Sequence, residues 1–188
     1  EIDVIGTNDD PSSWFTMSEV FLSKVYSKMN ITTNDVVLDI GGHYGFFSLY
    51  ALNAGAKTVH VIEPSHENYK ILSKNLRGFS NVEKYNLALD KDMGEKEFLL
   101  VGPSSTNSFY ESYNTNNENP TSLGQTKTVQ VNTVAFDQFI KNNNIHRLDA
   151  IKIDCEGAEW DIFPTISDKF LKHKVRKISA ELHQFNNE

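Results

Sequence analysis

The chain has 188 residues, 39% of them hydrophobic and 23% charged, which predicts one globular domain with a substantial core. Its net charge of −7 comes without a clustered basic stripe, which argues against nucleic acid as a partner. The single cysteine excludes an intramolecular disulfide framework and favours a reducing compartment.

Membrane insertion and secretion are not expected either. No apolar run approaches the roughly 20 residues that a bilayer-spanning helix needs. The first residues, EIDVIGTNDDPSSW, lack the basic and apolar regions of a signal peptide. These features together predict a cytoplasmic protein.

The first part of the chain, residues 1–30, is predicted to be an N-terminal segment with a capping helix at 12–29. Hydrophobic residues recur there with the helical period, and a serine can cap the first turn: Phe21, Leu22, Val25 and Met29, with Ser12 or Ser13 as the cap. Residues 31–188 are predicted to form the main domain, and both parts belong to one globular unit.

Strands and helices alternate after residue 35. Short apolar runs predict strands at 36–40, 58–63 and 81–89, and helices ended by glycine are predicted at 45–55 and 66–77. This β-α-β-α-β order is typical of a doubly wound α/β sheet with parallel strands and right-handed crossovers.

The second half of the chain continues the pattern after an irregular stretch. Strands are predicted at 95–101 and 127–134, at an edge or in a hairpin, followed by a helix at 135–143, a strand at 149–154, a helix at 157–171 and a strand at 175–183. The polar segment 104–125 is too long for a passive connection, so we expect a disordered segment or a lid. Phe109, Tyr110 and Tyr113 would suit a lid.

A glycine-rich turn separates the first predicted strand from the first helix of the sheet. It reads Asp39-Ile40-Gly41-Gly42-His43-Tyr44-Gly45, and residues without Cβ allow close backbone approach and positive φ. Open α/β sheets bind ligands at the carboxyl ends of their strands. Glu63 ends the next strand, where its carboxylate can accept two hydrogen bonds from a ribose diol.

Such a turn with a downstream acid fits both NAD and S-adenosylmethionine (SAM), and two details favour SAM. The dinucleotide fingerprint G-x-G-x-x-G is interrupted, because His43 stands where that pattern has glycine. Asp39 would repel a pyrophosphate, whereas it would attract the ammonium of the SAM amino-acid group, directly or through water.

Four segments, VVLDIGGHYGFFSLYA, VIEPSHENYKILSKNL, NLALD and IKIDCEGAEWDIF, resemble the FkbM family of class I SAM-dependent methyltransferases. The D-x-E-G-x-E element at 154–159 is the most specific part of this resemblance. It implies a Rossmann-like fold and methyl transfer, commonly to a hydroxyl oxygen of a sugar or a natural-product-like acceptor. It also implies two further strands, so we expect the C-terminal strands to be truncated here.

The resemblance carries cofactor roles over to this chain. The implied positions are Asp39, Gly41, Gly45 and Glu63, with Asn86, Leu87 and Ala88 flanking the adenine; Gly42 and His43 complete the turn. The family usually has Asn at the position of His43, so the resemblance assigns no contact there.

A second polar group follows the last two predicted strands. Asp154, Glu156 and Glu159 come after one strand, and Glu181 and His183 end the next, so we expect them to meet beside the cofactor. His183 is the first candidate for the base that removes the acceptor proton, since imidazole titrates near neutral pH. Asp154 and Glu156 are alternative bases or anchors for the acceptor hydroxyl. Asp154, Glu156 and His183 could also hold a metal ion, but their spacing does not demand one and we expect none.

Structural interpretations compete with several of these roles. Glu156 and Glu159 could serve only a helix N-terminus, and His183 could be a solvated loop residue. We expect Lys152 to reach an acid at the sheet margin and Cys155 to be a packed thiol. Trp14 and Phe15 could cover the cofactor, but core packing is preferred.

The sequence thus favours a SAM-dependent O-methyltransferase that acts on a small-molecule hydroxyl acceptor as a monomer or weak dimer. Two alternatives stay open: a non-catalytic SAM-binding module and an NAD-dependent oxidoreductase.

Overall fold

A computed structural model describes residues 6, 10–100, 107–109 and 127–183 of the chain. Most of the segment 104–125, with Tyr110 and Tyr113, lies outside the described residues, so the choice between a lid and disorder stays open there. The division of the chain at residue 30 also remains a prediction.

Five parallel strands form the central sheet, in the order β3-β2-β1-β7-β8. Their bounds are Val36–Ile40 (β1), Thr58–Ile62 (β2), Val82–Tyr85 (β3), Leu148–Ile153 (β7) and Val175–Ala180 (β8). β1, β2 and β7 are nearly continuous buried runs, because helices cover both faces of the sheet. The predicted α/β, mostly parallel, doubly wound sheet is confirmed.

The other three strands form a small second sheet in the order β4-β6-β5. They are Ala88–Leu89 (β4), Gly94–Leu100 (β5) and Lys127–Val134 (β6). β5 and β6 pair in antiparallel fashion, as the hairpin alternative predicted, while β4 runs parallel to β6.

The single strand predicted at 81–89 is wrong, because the chain leaves the central sheet after Tyr85 and enters the small sheet at Ala88. The side-chain amide of Asn86 donates to the carbonyl oxygens of Glu63 and Pro64, at 2.9 and 3.0 Å. These bonds hold the chain at the end of β2 and turn it away from the strand direction.

Six α-helices are assigned in the described residues, and they lie at Pro11–Phe21 (α1), Phe46–Asn53 (α2), His66–Asn75 (α3), Phe136–Asn142 (α4), Glu159–Ile162 (α5) and Asp168–Lys174 (α6). Two 3-10 turns, Ser27–Met29 and Phe163–Thr165, accompany them. None of these helices combines the length and the apolar character that crossing a bilayer requires.

One predicted helix and one predicted strand were too long, and a second predicted helix is divided. The helix predicted at 12–29 ends at Phe21, and its N-cap is Asp10, whose side chain accepts from the amide of Ser12. The helix predicted at 157–171 is interrupted at Pro164, which has no N–H to continue the ladder. The last strand ends at Ala180 rather than at residue 183.

Two apolar clusters pack on opposite faces of the central sheet. Alternation along β1 sends Val37 into one cluster and Leu38 and Ile40 into the other. The first cluster is built on α2 and α3, and the second on α4 and α5, with Phe136 and Ile162 fully buried. The sheet is therefore fixed from both sides, and its carboxyl edge is left as the open end.

The turn between β1 and α2 packs directly against the end of β7. Gly41 has a φ of +78°, and a Cβ built on it would overlap the carbonyl oxygen of Asp154. A Cβ on Gly42 would overlap side chains of Val61 and Leu72. Packing of the protein on itself therefore requires these two glycines before any ligand is considered.

Replacing Gly41 with alanine is expected to destabilise the fold by at least about 2 kcal/mol, since the new methyl meets rigid backbone at an unfavourable φ. Urea unfolding followed by circular dichroism measures this change. Gly78→Ala is the matched control, because nothing lies within 4 Å of its added Cβ, and it should change stability by less than about 0.5 kcal/mol. Equal effects of the two substitutions would contradict the packing argument.

Candidate active site

A cavity of about 460 Å³ opens at the carboxyl edge of the central sheet. The ends of β1, β2, β7 and β8 contribute to its wall, and residues of α1 and the small sheet complete it. Parallel sheets offer ligand sites at this edge, so the cavity lies where the strand order predicted it.

Glu63 stands at the end of β2 and is almost fully buried in the cavity wall. Its Oε2 accepts from the backbone N–H of His43 at 2.8 Å, and its Oε1 accepts from that of Ser65 at 2.9 Å. Burial raises the pKa of this carboxyl to about 7, although both amides favour the charged form. The acid is thus aimed at the glycine turn and not at bulk solvent.

His43 contributes its backbone to this arrangement. Its φ of 48° turns the peptide N–H toward Glu63, while its ring stacks on Tyr44 with centroids 3.9 Å apart. Burial lowers the pKa of the His43 imidazole to about 4, so the ring is neutral at physiological pH. His43 departs from the pattern of the family that the sequence resembles, but its backbone still positions Glu63, the candidate acceptor for a ribose diol.

Asp39 lies behind the cavity wall rather than in it. It is fully buried and accepts from the Ser48 hydroxyl at 2.7 Å, with the Lys152 ammonium 3.6 Å away. Its side chain does not contribute to the cavity lining of the described residues. A contact of Asp39 with a cofactor ammonium, directly or through water, stays a prediction.

Lys152 joins the ends of β1 and β7. Its ammonium donates to the Gly41 carbonyl at 2.6 Å and lies 3.4 Å from Asp154. Burial opposes the charge, but the carboxylates of Asp154 and Asp39 outweigh it and raise the pKa of Lys152 well above its usual value. The prediction that this lysine reaches an acid is confirmed, although the pairing is buried.

The other predicted cofactor residues divide into two groups. Gly41, Gly42, His43 and Ala88 line the cavity, whereas Gly45, Asn86 and Leu87 are not part of its lining among the described residues. Gly45 adopts a φ of 85° as the N-cap of α2, a conformation that favours glycine, and its cofactor role stays a prediction.

The second polar group does come together at the opposite wall. Atoms of Asp154, Glu156 and His183 that could ligate a cation all lie within 4.8 Å of one another. Asp154, Glu156 and Glu181 line the cavity, while His183 lies just behind them. The sequence therefore identified a real cluster, although its histidine is not in the lining.

His183 is buried and held by Glu159. Its Nδ1 lies 3.3 Å from Glu159 Oε1, and its Nε2 lies 3.5 Å from Glu156 Oε2. The contact with Glu159 raises the pKa of His183 to about 9, despite the opposing effect of burial. The alternative of a solvated loop residue is wrong.

Glu159 is fully buried and serves as the anchor of the turn after β7. It accepts from the amides of Cys155 at 2.7 Å and Gly157 at 3.1 Å. Burial opposes its charge, but contact with His183 and the Cys155 amide lowers the pKa of this carboxyl. Burial also raises the pKa of the Cys155 thiol well above its usual value, as expected for a packed thiol.

Sequence reasoning missed one cavity residue, Glu19, and one contact at the cavity, made by Ser108, and it gave the less favoured place to the interpretation of Phe15 that the structure supports. Glu19 projects from α1 into the lining, where burial and the charges of Glu181 and Asp154 raise its pKa. Phe15 lines the cavity and is 66% exposed, and Trp14 is 58% exposed, so the core-packing interpretation of both is wrong. Ser108 donates to the Glu156 carbonyl at 2.7 Å, a contact across 48 residues that no local pattern signals.

Residues 39–188 match the Methyltransferase FkbM domain. This chain belongs to the FkbM methyltransferase family. The match covers both walls of the cavity, from the end of β1 to the residues after β8.

Curated relatives of this FkbM domain carry methyltransferase or synthetase names. Methyltransferase 1 of Beauveria bassiana is 24% identical, over 82% of this chain and 68% of that protein. The AMB antimetabolite synthetase AmbE of Pseudomonas aeruginosa is 28% identical over 90% of this chain but only 9% of its own length. Methyltransferase sdnD of Sordaria araneosa is 24% identical, over 89% of this chain and 73% of that protein.

A solved structure supports the class I methyltransferase fold. The crystal structure of Methyltransferase FkbM from Methylobacillus flagellatus aligns with a TM-score of 0.50 at 17% identity. The alignment covers 76% of this chain and 32% of that one, so the chain spans about a third of that protein.

Replacing Lys152 with methionine is expected to destabilise the protein by about 3–5 kcal/mol, since Asp39 is left as an uncompensated buried charge. The double variant Lys152→Met with Asp39→Asn should recover part of that loss, because the orphaned charge is removed. Urea unfolding of both single variants and the double variant measures the coupling. Additive effects would contradict the pairing.

Proposed function

We propose that this FkbM domain binds SAM and transfers its methyl group to a hydroxyl oxygen of a small molecule, such as a sugar or a natural-product-like acceptor. The observation that supports this proposal most directly is that one cavity has two walls of different chemistry. One wall presents buried Glu63 beside the glycine turn, and the other presents Asp154, Glu156 and Glu181.

The first wall has the chemistry that a nucleoside needs. Glu63 Oε2 accepts from the His43 amide and retains accepting capacity for a ribose hydroxyl, whereas Oε1 already accepts from the Ser65 amide and, at 3.5 Å, from the side-chain amide of Asn68. Ile62, Ala88 and Leu89 add an apolar surface that suits the adenine ring. A volume of about 460 Å³ lies within the usual range for small-molecule sites.

The second wall has the chemistry that an acceptor hydroxyl needs. SAM supplies a methyl group already activated by its sulfonium leaving group, so the protein must align the acceptor oxygen and take its proton. Asp154 and Glu156 can accept hydrogen bonds from that hydroxyl, and a carboxylate of this wall can receive the proton.

His183 has a positioning role in this proposal instead of the base role first expected. With a pKa of about 9 it is protonated near neutral pH, so it has no lone pair with which to accept a proton. Its Nε2 lies 3.5 Å from Glu156 and 3.7 Å from Glu181, where its charge holds both carboxylates in place.

The names of the relatives agree with this proposal at a coarse level. Two of the three are called methyltransferases, and the third is an antimetabolite synthetase. A synthetase of that kind is consistent with a natural-product-like acceptor, although this domain matches only 9% of it.

Glu63→Gln is expected to weaken SAM binding at least tenfold at pH 8, since the amide loses an accepting oxygen and the charge. Isothermal titration calorimetry measures the affinity, and Glu95→Gln on the exposed edge of β5 is the matched control. An unchanged affinity in Glu63→Gln, or binding of NAD without SAM, would contradict the proposal.

SAM affinity should also rise several-fold between pH 6 and pH 8 in the unmodified chain. The carboxyl of Glu63 has a pKa of about 7, so its charged form, the better acceptor, increases over that interval. The neighbouring His43 and Lys152 do not titrate there, because burial lowers the pKa of His43 to about 4 and the carboxylates of Asp154 and Asp39 raise the pKa of Lys152 above its usual range. The rise should vanish in Glu63→Gln.

Glu156→Gln and His183→Ala are expected to leave SAM affinity within about twofold while reducing methyl transfer roughly 10²-fold or more. Transfer of a radiolabelled methyl group to a panel of sugars and hydroxylated natural products measures the rate. Equal loss of binding and transfer would assign both residues a purely structural role. Tight binding without transfer to any acceptor would favour a non-catalytic module.

A further inference from the structure

We propose that Asp154, Glu156 and His183 form a binding site for one divalent metal ion of the type that accepts both carboxylate oxygen and imidazole nitrogen. This inference deepens the proposed function, because it adds a metal ion to the cavity wall of Asp154, Glu156 and Glu181, where the acceptor hydroxyl would bind. The binding of the ion itself does not depend on SAM use. The sequence alone predicted no metal here, because no spacing demanded one.

The distances between the candidate ligand atoms suit a single ion. Adjacent ligands of an octahedral ion with bonds of about 2.1 Å lie about 3 Å apart, and opposite ligands about 4.2 Å apart. His183 Nε2 lies 3.5 Å from Glu156 Oε2 and 3.7 Å from Glu181 Oε1. Asp154, Glu156 and His183, the three proposed ligands, have ligand atoms within 4.8 Å of one another, so a shift of about 0.6 Å brings even the widest pair to the opposite-ligand distance of about 4.2 Å.

The histidine is oriented as metal-binding histidines usually are. Metal-ligating imidazoles typically direct the ring nitrogen that is not bound to metal at a carboxylate, which fixes the ring and its tautomer. Here Nδ1 lies 3.3 Å from Glu159, and Glu159 is in turn fixed by the amides of Cys155 and Gly157. The other nitrogen, Nε2, is thereby directed at the carboxylates of Glu156 and Glu181.

The local charge favours a dication. Asp154, Glu156, Glu159 and Glu181 surround the imidazole, and among these four acids Lys152 pairs with Asp154, at 3.4 Å. Even a protonated His183 leaves this group negative. A divalent ion replaces that single proton with two positive charges and satisfies several carboxylates at once.

The ion would lie where it can act on an acceptor. Asp154, Glu156 and Glu181 face the cavity, so a coordination position left open by the protein points into it. An acceptor hydroxyl bound there would be oriented and made more acidic by the ion. Mixed carboxylate and imidazole ligands suit Mn²⁺ or Fe²⁺ better than a thiolate-seeking metal.

Titration of the chelator-treated protein with MnCl₂, followed by electron paramagnetic resonance, tests the site. One Mn²⁺ per chain is expected, and echo-envelope spectra should show modulation by a directly bound nitrogen. Glu156→Gln should weaken Mn²⁺ binding at least tenfold, and His183→Ala should abolish the nitrogen modulation. Glu159→Gln, which removes the anchor but no ligand, should weaken binding about 10–100-fold.

Glu95→Gln is the matched control, since it removes the same charge from an exposed position on β5 and should leave Mn²⁺ affinity within twofold. Circular dichroism verifies that each variant is folded. Absence of saturable Mn²⁺ binding, or binding with no nitrogen modulation in the unmodified chain, overturns the metal site. A protein that binds SAM and transfers methyl groups but shows no saturable Mn²⁺ binding loses the metal inference and keeps the proposed function. A protein that binds Mn²⁺ but not SAM keeps the metal site and loses the proposed function.

Discussion

The buried ammonium of Lys152 holds the two walls of the cavity in register. From the middle of the sheet it reaches Asp39 on β1, Asp154 after β7, and the carbonyl of Gly41 in the glycine turn. A buried charge is costly unless it is paired and hydrogen-bonded, so this arrangement permits little displacement of any partner. The turn that supports Glu63 and the turn that supports Glu156 are therefore fixed relative to each other through one side chain.

Much of the cavity wall that carries Glu63 could be predicted from sequence because its determinants are local. A buried run that ends in Asp39 and glycines, followed by a second run that ends in Glu63, needs only the rule that parallel strands align their carboxyl ends. Other features depend on distant contacts. The bonds of Asn86 to the end of β2 divide an otherwise continuous strand pattern. The helical pattern at 12–29 stops at Phe21, and Leu22 and Val25, which fitted it, are exposed.

For His183, the position in the fold could be predicted from the sequence, but the protonation state of the imidazole could not. Sequence order placed it at the end of the last strand, beside the acids that follow β7. Its protonation depends on Glu159, 24 residues earlier in the chain, and on the depth at which both are buried. A free imidazole and a carboxylate-bound imidazolium look identical in sequence, yet only the first can act as a base near neutral pH.

The D-x-E-G-x-E element can be explained residue by residue in physical terms. Asp154 pairs with Lys152 at the strand end, and Glu156, with a φ of 50°, turns its side chain toward the cavity. Gly157, with a φ of 107°, lets the chain reverse so that its amide and that of Cys155 converge on Glu159.

Glu159 is thereby fixed where it meets His183 across the sheet edge, and the same carboxylate closes the turn and orients the imidazole. The spacing of the three acids therefore follows from one tight turn that needs a carboxylate at its start, its apex and its end, each for a different partner. A shift of any one acid by one position would break the pairing with Lys152, the approach to the cavity or the contact with His183.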